Sequence, residues 1–168
     1  VAVILGMGRA IGGTMAGVDR SGYRLVTTGS GAINSYAAHF RVEGLEIHSL
    51  TTGTPVYARP GGGVDGDIRV SHNLIHGNRA NSTHGIYPYD YDGVARIWNN
   101  VIYDVGSGVQ TSRGTTYVYN NTIVDIVTGF AIRSGSGGVT VVKNNLTEAP
   151  RDDFYGASGL TELYGIPV

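Results

Sequence analysis

Five segments of the chain repeat one pattern: RVEGLEIHS from Arg41, RVSHNLIHG from Arg69, RIWNNVIYD from Arg96, YVYNNTIVD from Tyr117 and VVKNNLTEA from Val141. Superposed, they place Leu45, Asn73, Asn100, Asn121 and Asn145 in one column, at steps of 28, 27, 21 and 24 residues. A second set of segments follows the first four: TPVYAR from Thr54, HGIYPY from His84, SGVQTS from Ser107 and TGFAIR from Thr128. In this set Val56, Ile86, Val109 and Phe130 are expected to face one way, and Tyr57, Tyr87, Gln110 and Ala131 the other. Runs this short, alternating with period two and broken by Gly, Asn and Asp, leave no room for a helix of ~10 residues. Strands that return at such a period without hairpin signals fit a chain that coils and stacks each turn in parallel on the last.

One coil cannot bury its apolar residues alone, whereas stacked coils align Val42, Val70, Ile97 and Val118 into a continuous core. Asparagine tolerates the left-handed backbone of a tight corner, and stacked amides can bond to one another up that corner. Asn73, Asn100, Asn121 and Asn145 are therefore read as a structural corner ladder. Of the glycosylation sequons at Asn81, Asn120 and Asn145, the latter two fall in these corners and are read structurally for the same reason.

The stretch from about Tyr23 to Asp153, carried by YRLVTTGSG, FRVEGLEIHS, IWNNVIYDV and YVYNNTIVDI, resembles the pectin-lyase-like superfamily and, in detail, its secreted right-handed β-helix repeat proteins. The resemblance implies an all-β fold, a single-stranded right-handed parallel β-helix of about five to seven coils. It also implies a secreted or cell-surface location. Such proteins include pectate lyases, polygalacturonases, phage tailspikes and surface adhesins, so the fold alone does not choose a function. The shared motifs specify the coil and not a reaction.

Composition narrows the partners. A net charge of -1, with only 15% charged residues, gives no reason to expect nucleic acid. No stretch approaches the ~20 apolar residues needed to span a bilayer, so membrane insertion is not expected. The chain has no cysteine, which excludes disulfides and thiolate metal sites. Positive charge comes almost entirely from arginine, which suits bidentate contact with carboxylates and planar stacking on rings.

Outward residues of stacked strands form flat faces on which ligands can lie. On the earlier strand of each repeat the outward pairs are Arg41/Glu43, Arg69/Ser71, Arg96/Trp98, Tyr117/Tyr119 and Val141/Lys143. On the later strand they are Tyr57/Arg59, Tyr87/Tyr89, Gln110/Ser112 and Ala131/Arg133. Tyr and Trp plates beside arginine forks suit sugar rings, so Tyr57, Arg59, Tyr87, Tyr89, Gln110, Trp98 and Tyr119 are the candidate ligand-binding residues. Exposed rings and charges also stabilise a sheet by themselves, which is the competing reading.

For chemistry the candidates are Asp90, Asp92, Arg113 and Arg133. Asp90 and Asp92 end the longest insertion, His76 to Gly93, which also gathers Arg79, His84 and Tyr91. They could act as an acid/base pair or bind Ca²⁺ through oxygen ligands. The same D-Y-D-G is ordinary turn chemistry, and no cofactor is required by it. Asp65 and Asp67 form a second acidic pair. The resemblance to pectate lyases singles out Arg113 and Arg133 as the nearest match to a lyase arginine, but no catalytic motif of either enzyme group matches residue by residue. His72 and His76 flank a turn and are read as corner residues rather than metal ligands.

The first residues, VAVILGMGRAIGG, imitate a dinucleotide-binding turn. The spacing Gly6-x-Gly8-x-x-x-Gly12, with Gly13 and Gly17 where a helix should propagate, argues against one, because each helical glycine costs ~1 kcal/mol. The stretch is read as a first coil. One domain, 1–168, is expected: leading coils or an N-terminal cap in 1–39, regular coils in 40–149 and a C-terminal tail or cap in 150–168. The chain also reads as a piece of something longer. Uncapped ends would favour a homo-oligomer or end-to-end stacking. Two functions follow: an extracellular protein that binds a polysaccharide along a Tyr/Arg face, with cleavage as a lyase or hydrolase left open, or a structural or adhesive module of cell-surface, fibre or phage-tail type that acts by assembly.

Overall fold

The computed structural model describes residues 2–5, 24–28, 31–77, 84–156, 160–163 and 166–167, and among them there are only strands, turns and bends. The chain repeats three strands per coil: β1 (Ala2–Leu5), β2 (Arg24–Thr27) and β3 (Ile33–Ser35), then β4 (His39–Glu43), β5 (Glu46–Ser49) and β6 (Val56–Ala58). The third coil holds β7 (Asp67–Ser71), β8 (Leu74–His76) and β9 (His84–Pro88), and the fourth β10 (Val94–Trp98), β11 (Val101–Tyr103) and β12 (Ser107–Thr111). Then come β13 (Gly114–Tyr119), β14 (Thr122–Ile123) and β15 (Ile132–Ser134), and β16 (Gly138–Lys143), β17 (Leu146–Thr147) and β18 (Phe154–Gly156). Last are β19 (Leu160–Leu163) and β20 (Ile166–Pro167).

Corresponding strands pair in parallel to build three sheets. The first runs β1-β4-β7-β10-β13-β16-β19, the second β2-β5-β8-β11-β14-β17-β20 and the third β3-β6-β9-β12-β15-β18. The segment expected as a tail or cap thus adds strands β18, β19 and β20 to the stack. Of the glycine-rich opening stretch, Ala2–Leu5 pairs with β4; Gly6 to Tyr23 lie outside the described residues, as do Arg79 and Asn81.

Alternation builds the core. Val42, Val70, Ile97 and Val118 align on the first sheet, and Ile47, Ile75, Ile102 and Ile123 on the second. Ile33, Val56, Ile86, Val109 and Ile132 align on the third, and all thirteen are buried. β-Branched residues suit this geometry, since each packs on its counterparts ~4.8 Å away in the coils above and below.

The corner between the first and second sheets divides its labour between two residues. Gly44, His72, Asn99, Asn120 and Asn144 take positive φ angles between 52° and 71°. The left-handed backbone expected of the asparagine column thus belongs to the residue before it. That residue makes the turn, which frees the next one to point inward. Asn73, Asn100, Asn121 and Asn145 are buried. The side-chain amides of the first three each donate to the Oδ1 of the next at 3.0 Å. Each Oδ1 also accepts the backbone N–H one coil back, from Leu45, Asn73, Asn100 and Asn121 at 2.9–3.1 Å. Each Nδ2 donates further to a first-sheet carbonyl, of Val42, Val70, Ile97 and Val118 respectively.

One register differs from expectation. Ile132 and Arg133 pair with Val109 and Gln110, where Phe130 and Ala131 were expected. The corner from 124 to 131 is longer than its counterpart one coil back, so the strand begins two residues later. A slip of two preserves the inward–outward alternation, and the pattern alone cannot reveal it. Ala131 is buried, and Arg133 takes the outward place beside Gln110.

Candidate functional site

On the third sheet, register alone brings the outward residues into a band. Tyr57 lies beside Tyr87, Gln110 beside Arg133, and Arg133 beside Tyr155. Tyr89, just past β9, closes a ring cluster: its centroid is 5.2 Å from Tyr87 and 6.1 Å from Tyr57, and Tyr57 is 5.8 Å from Tyr87. The Arg59 guanidinium lies 5.1 Å above the Tyr89 ring. Further along, Phe130 stacks on Tyr155 at 4.5 Å, with Arg133 at 5.9 Å and Arg151 at 5.8 Å from the Phe130 ring. Tyr155 and Arg151 escaped sequence reading, because the repeat is faint after Asn145; the coil period counted on from Arg133 would have found Tyr155.

Two polar atoms beneath this band lack partners. His84 Nδ1 and Gln110 Oε1 are buried without a hydrogen bond. His84 meets the Tyr87 ring edge-on at 5.0 Å. Burial, and then the charge of Arg133, push the His84 imidazole down to about 4, so it is neutral at ordinary pH. Burial likewise raises the Tyr87 phenol above its usual value, while a hydrogen bond with Gln110 pulls the other way.

The candidate ligand residues do not share one face. Trp98 and Tyr119 are on the first sheet, adjacent in register, and line a trough of about 530 Å³ with Arg69, Arg96 and Tyr117. There Asp67 holds both guanidiniums: Arg69 Nε at 2.5 Å through one oxygen and Arg96 Nη1 through the other. Arg96 lies 6.0 Å from the Tyr117 ring, and Tyr117 is 5.7 Å from Tyr119.

The catalytic candidates part company too. Arg113 grips Asp90 at 3.2 Å and Asp92 at 3.0 Å, and Asp92 also accepts the Gly63 N–H. Gly62 carries no side chain where a Cβ would stand 2.9 Å from Arg113 Nη1. This clamp ties the turn at Gly61–Gly63 to that at Asp90–Gly93, and Tyr91 beside it is buried in the core, its hydroxyl donating to Val94 O. Both carboxylates face a guanidinium, an arrangement that serves a turn better than proton transfer. Arg133 makes its contacts elsewhere, over Phe130 and Tyr155. Among the described residues no three His, Cys, Asp or Glu side chains converge as metal ligands.

His72 occupies the ladder corner, paired with Glu43 at 3.4 Å, whereas His76 is a strand residue of the second sheet rather than a corner one. His76 is sandwiched between His48 at 4.0 Å and Tyr103 at 4.9 Å and bonds to Glu46. Burial, then the neighbouring His76, lower the His48 pKa.

Charge pairing separates the faces. Arg24, Arg41, Arg69, Arg96 and Arg113 all lie within salt-bridge distance of a carboxylate. Arg59, Arg133 and Arg151 have no such partner among the described residues and lie instead over aromatic rings. All three belong to the third-sheet side.

A family model described as "right handed beta helix region" matches residues 18–160 of the chain. No curated protein and no solved structure matches it.

Proposed function

The chain belongs to the right-handed β-helix family, and on that scaffold we propose that it binds an acidic polysaccharide along its third sheet, as an extracellular protein. The observation that carries this reading is the set of three arginines without carboxylate partners flanking a tyrosine band. Guanidiniums left unpaired at a surface are ready for bidentate contact with uronate carboxylates. Tyr57, Tyr87 and Tyr89 offer ring faces for the sugars, and Gln110 braces Tyr87 by a hydrogen bond. Coils spaced ~4.8 Å apart repeat these groups along the helix axis, as a linear polymer repeats its own. Binding is proposed without a catalytic step, since Asp90 and Asp92 are both engaged by Arg113.

Retention on immobilised polyuronates and on neutral polysaccharides, at low and high salt, tests the reading. Salt-sensitive retention on a polyuronate, weakened at least tenfold in Tyr87→Ala and in Arg133→Ala with unchanged melting, is expected. No retention on any acidic polymer, or equal retention by both variants, removes it. Assays for unsaturated products and new reducing ends, with and without Ca²⁺, run alongside; turnover would overturn the non-catalytic form.

One observation favours assembly as a second reading. Leu74, Val101 and Leu146 are exposed and share a column of the second sheet with Thr122. A second copy covering that stripe would give concentration-dependent dimers in sedimentation, weakened by Val101→Glu.

A further inference from the structure

The first-sheet trough is a separate place with different electrostatics. Its floor is Trp98 beside Tyr119, and its wall Arg96 over Tyr117. Its volume of about 530 Å³ lies within the ~300–1,000 Å³ typical of small-molecule sites. Asp67 occupies one donor of Arg69 and one of Arg96 and uses both its oxygens to do so. The guanidiniums are thereby held in place in the lining of the trough, and their remaining N–H groups have no carboxylate partner among the described residues. Burial raises the Tyr119 phenol above its ordinary value, so its hydroxyl stays protonated. Lys143, one coil on beside Tyr119, is exposed at the margin and is not part of the lining.

We propose that this trough is a second glycan site, distinct from the third-sheet band, that takes uncharged pyranose rings. Trp98 and Tyr119 line the trough one strand apart, a spacing of aromatic rings that suits the C–H faces of successive sugars. Pre-oriented guanidinium N–H groups and phenol hydroxyls suit vicinal diols, the groups that neutral hexoses and pentoses offer in place of carboxylates. The site does not depend on the third-sheet reading, and either can fail alone.

Trp98 is the single tryptophan of the chain, so its emission reports on this trough and not on the other face. The experiment titrates the intact protein with neutral oligosaccharides of glucose, xylose, mannose and galactose, and in parallel with an oligouronate. A saturable change in Trp98 emission with at least one neutral series, insensitive to salt, is expected. Tyr119→Ala and Arg96→Gln should each weaken it at least tenfold while the melting temperature holds, and Tyr87→Ala should leave it unchanged. No saturable response to any neutral series overturns the proposal, as does a response to the oligouronate alone. A response that survives both Tyr119→Ala and Arg96→Gln overturns it equally.

Discussion

The ladder corner and the third-sheet face are built from the same repeat, yet they treat polar groups in opposite ways. At the corner, Asn73, Asn100 and Asn121 are buried, and their amide groups are bonded along the stack and to the backbone. On the face, His84 Nδ1 and Gln110 Oε1 are buried and unbonded, and three arginines meet rings in place of carboxylates. A buried donor or acceptor without a partner costs about 1–3 kcal/mol. Satisfaction at the corner accounts for a stable coil; on the face it is the arginines without carboxylates that a ligand can complete.

The sharpest way to break this contrast is at the middle of the ladder. In Asn100→Ala, the Asn73 backbone N–H and amide lose their acceptor, and Val70 O and Asn121 Oδ1 lose a donor. Several orphaned groups and a small cavity together should cost about 3–5 kcal/mol, seen as a lower urea midpoint. Glycan retention under native conditions should not change. A loss below about 1 kcal/mol would show that the ladder is decoration, and the comparison would fall.

His84 gives the next largest effect, through pH. It is neutral in the fold, with its pKa pushed down to about 4, against ~6.5 in an unfolded chain. Between those values the unfolded chain takes up a proton that the folded one refuses. Stability is therefore fully present above about pH 6.5, falls as the pH drops towards 4, and levels off below it. His84→Gln should remove on the order of 2 kcal/mol of that fall, and the depressed His48 should leave part of the slope in place. An oligouronate lying against Arg133 would offset the second cause and raise the His84 pKa, which ring resonances in an NMR titration would record. Identical pH profiles for parent and variant would mean that the face holds no buried imidazole under strain.

Most of the coil is readable in the chain because its signals are local. Period-two alternation placed Val42, Val70, Ile97 and Val118 in the core, and the asparagine column marked the ladder, although the left-handed turn falls one residue before it. The site is less readable because it depends on which coil meets which. Arg69 follows Asp67 by two residues on one strand face, but nothing near Asp67 in sequence says that Arg96 will join them, nor that Arg113 will reach back to Asp90 and Asp92. Alternation alone puts Arg133 one column away from its actual place beside Gln110, because the long corner at 124–131 shifts the strand by two residues. β14 and β17 are two residues each, too short to show a period at all.

The smallest expected effect lies at the Arg113 clamp, which tests whether ion pairing marks structure as distinct from site. The Arg113 side chain is 49% exposed, and exposed pairs contribute about 1 kcal/mol or less. Arg113→Ala should therefore lower stability by under about 1 kcal/mol in dilute buffer, and by less in 1 M salt, where the Debye length is ~3 Å. Gly62→Ala sets a Cβ against the far end of the same side chain, which can swing away, so its cost should be similarly small. Both changes act on one contact, and the double variant should lose less than the sum of the two. Glycan retention should be untouched in all three. If Arg113→Ala instead abolishes retention while the fold stands, the clamp belongs to the binding face, and paired arginines would no longer separate scaffold from site.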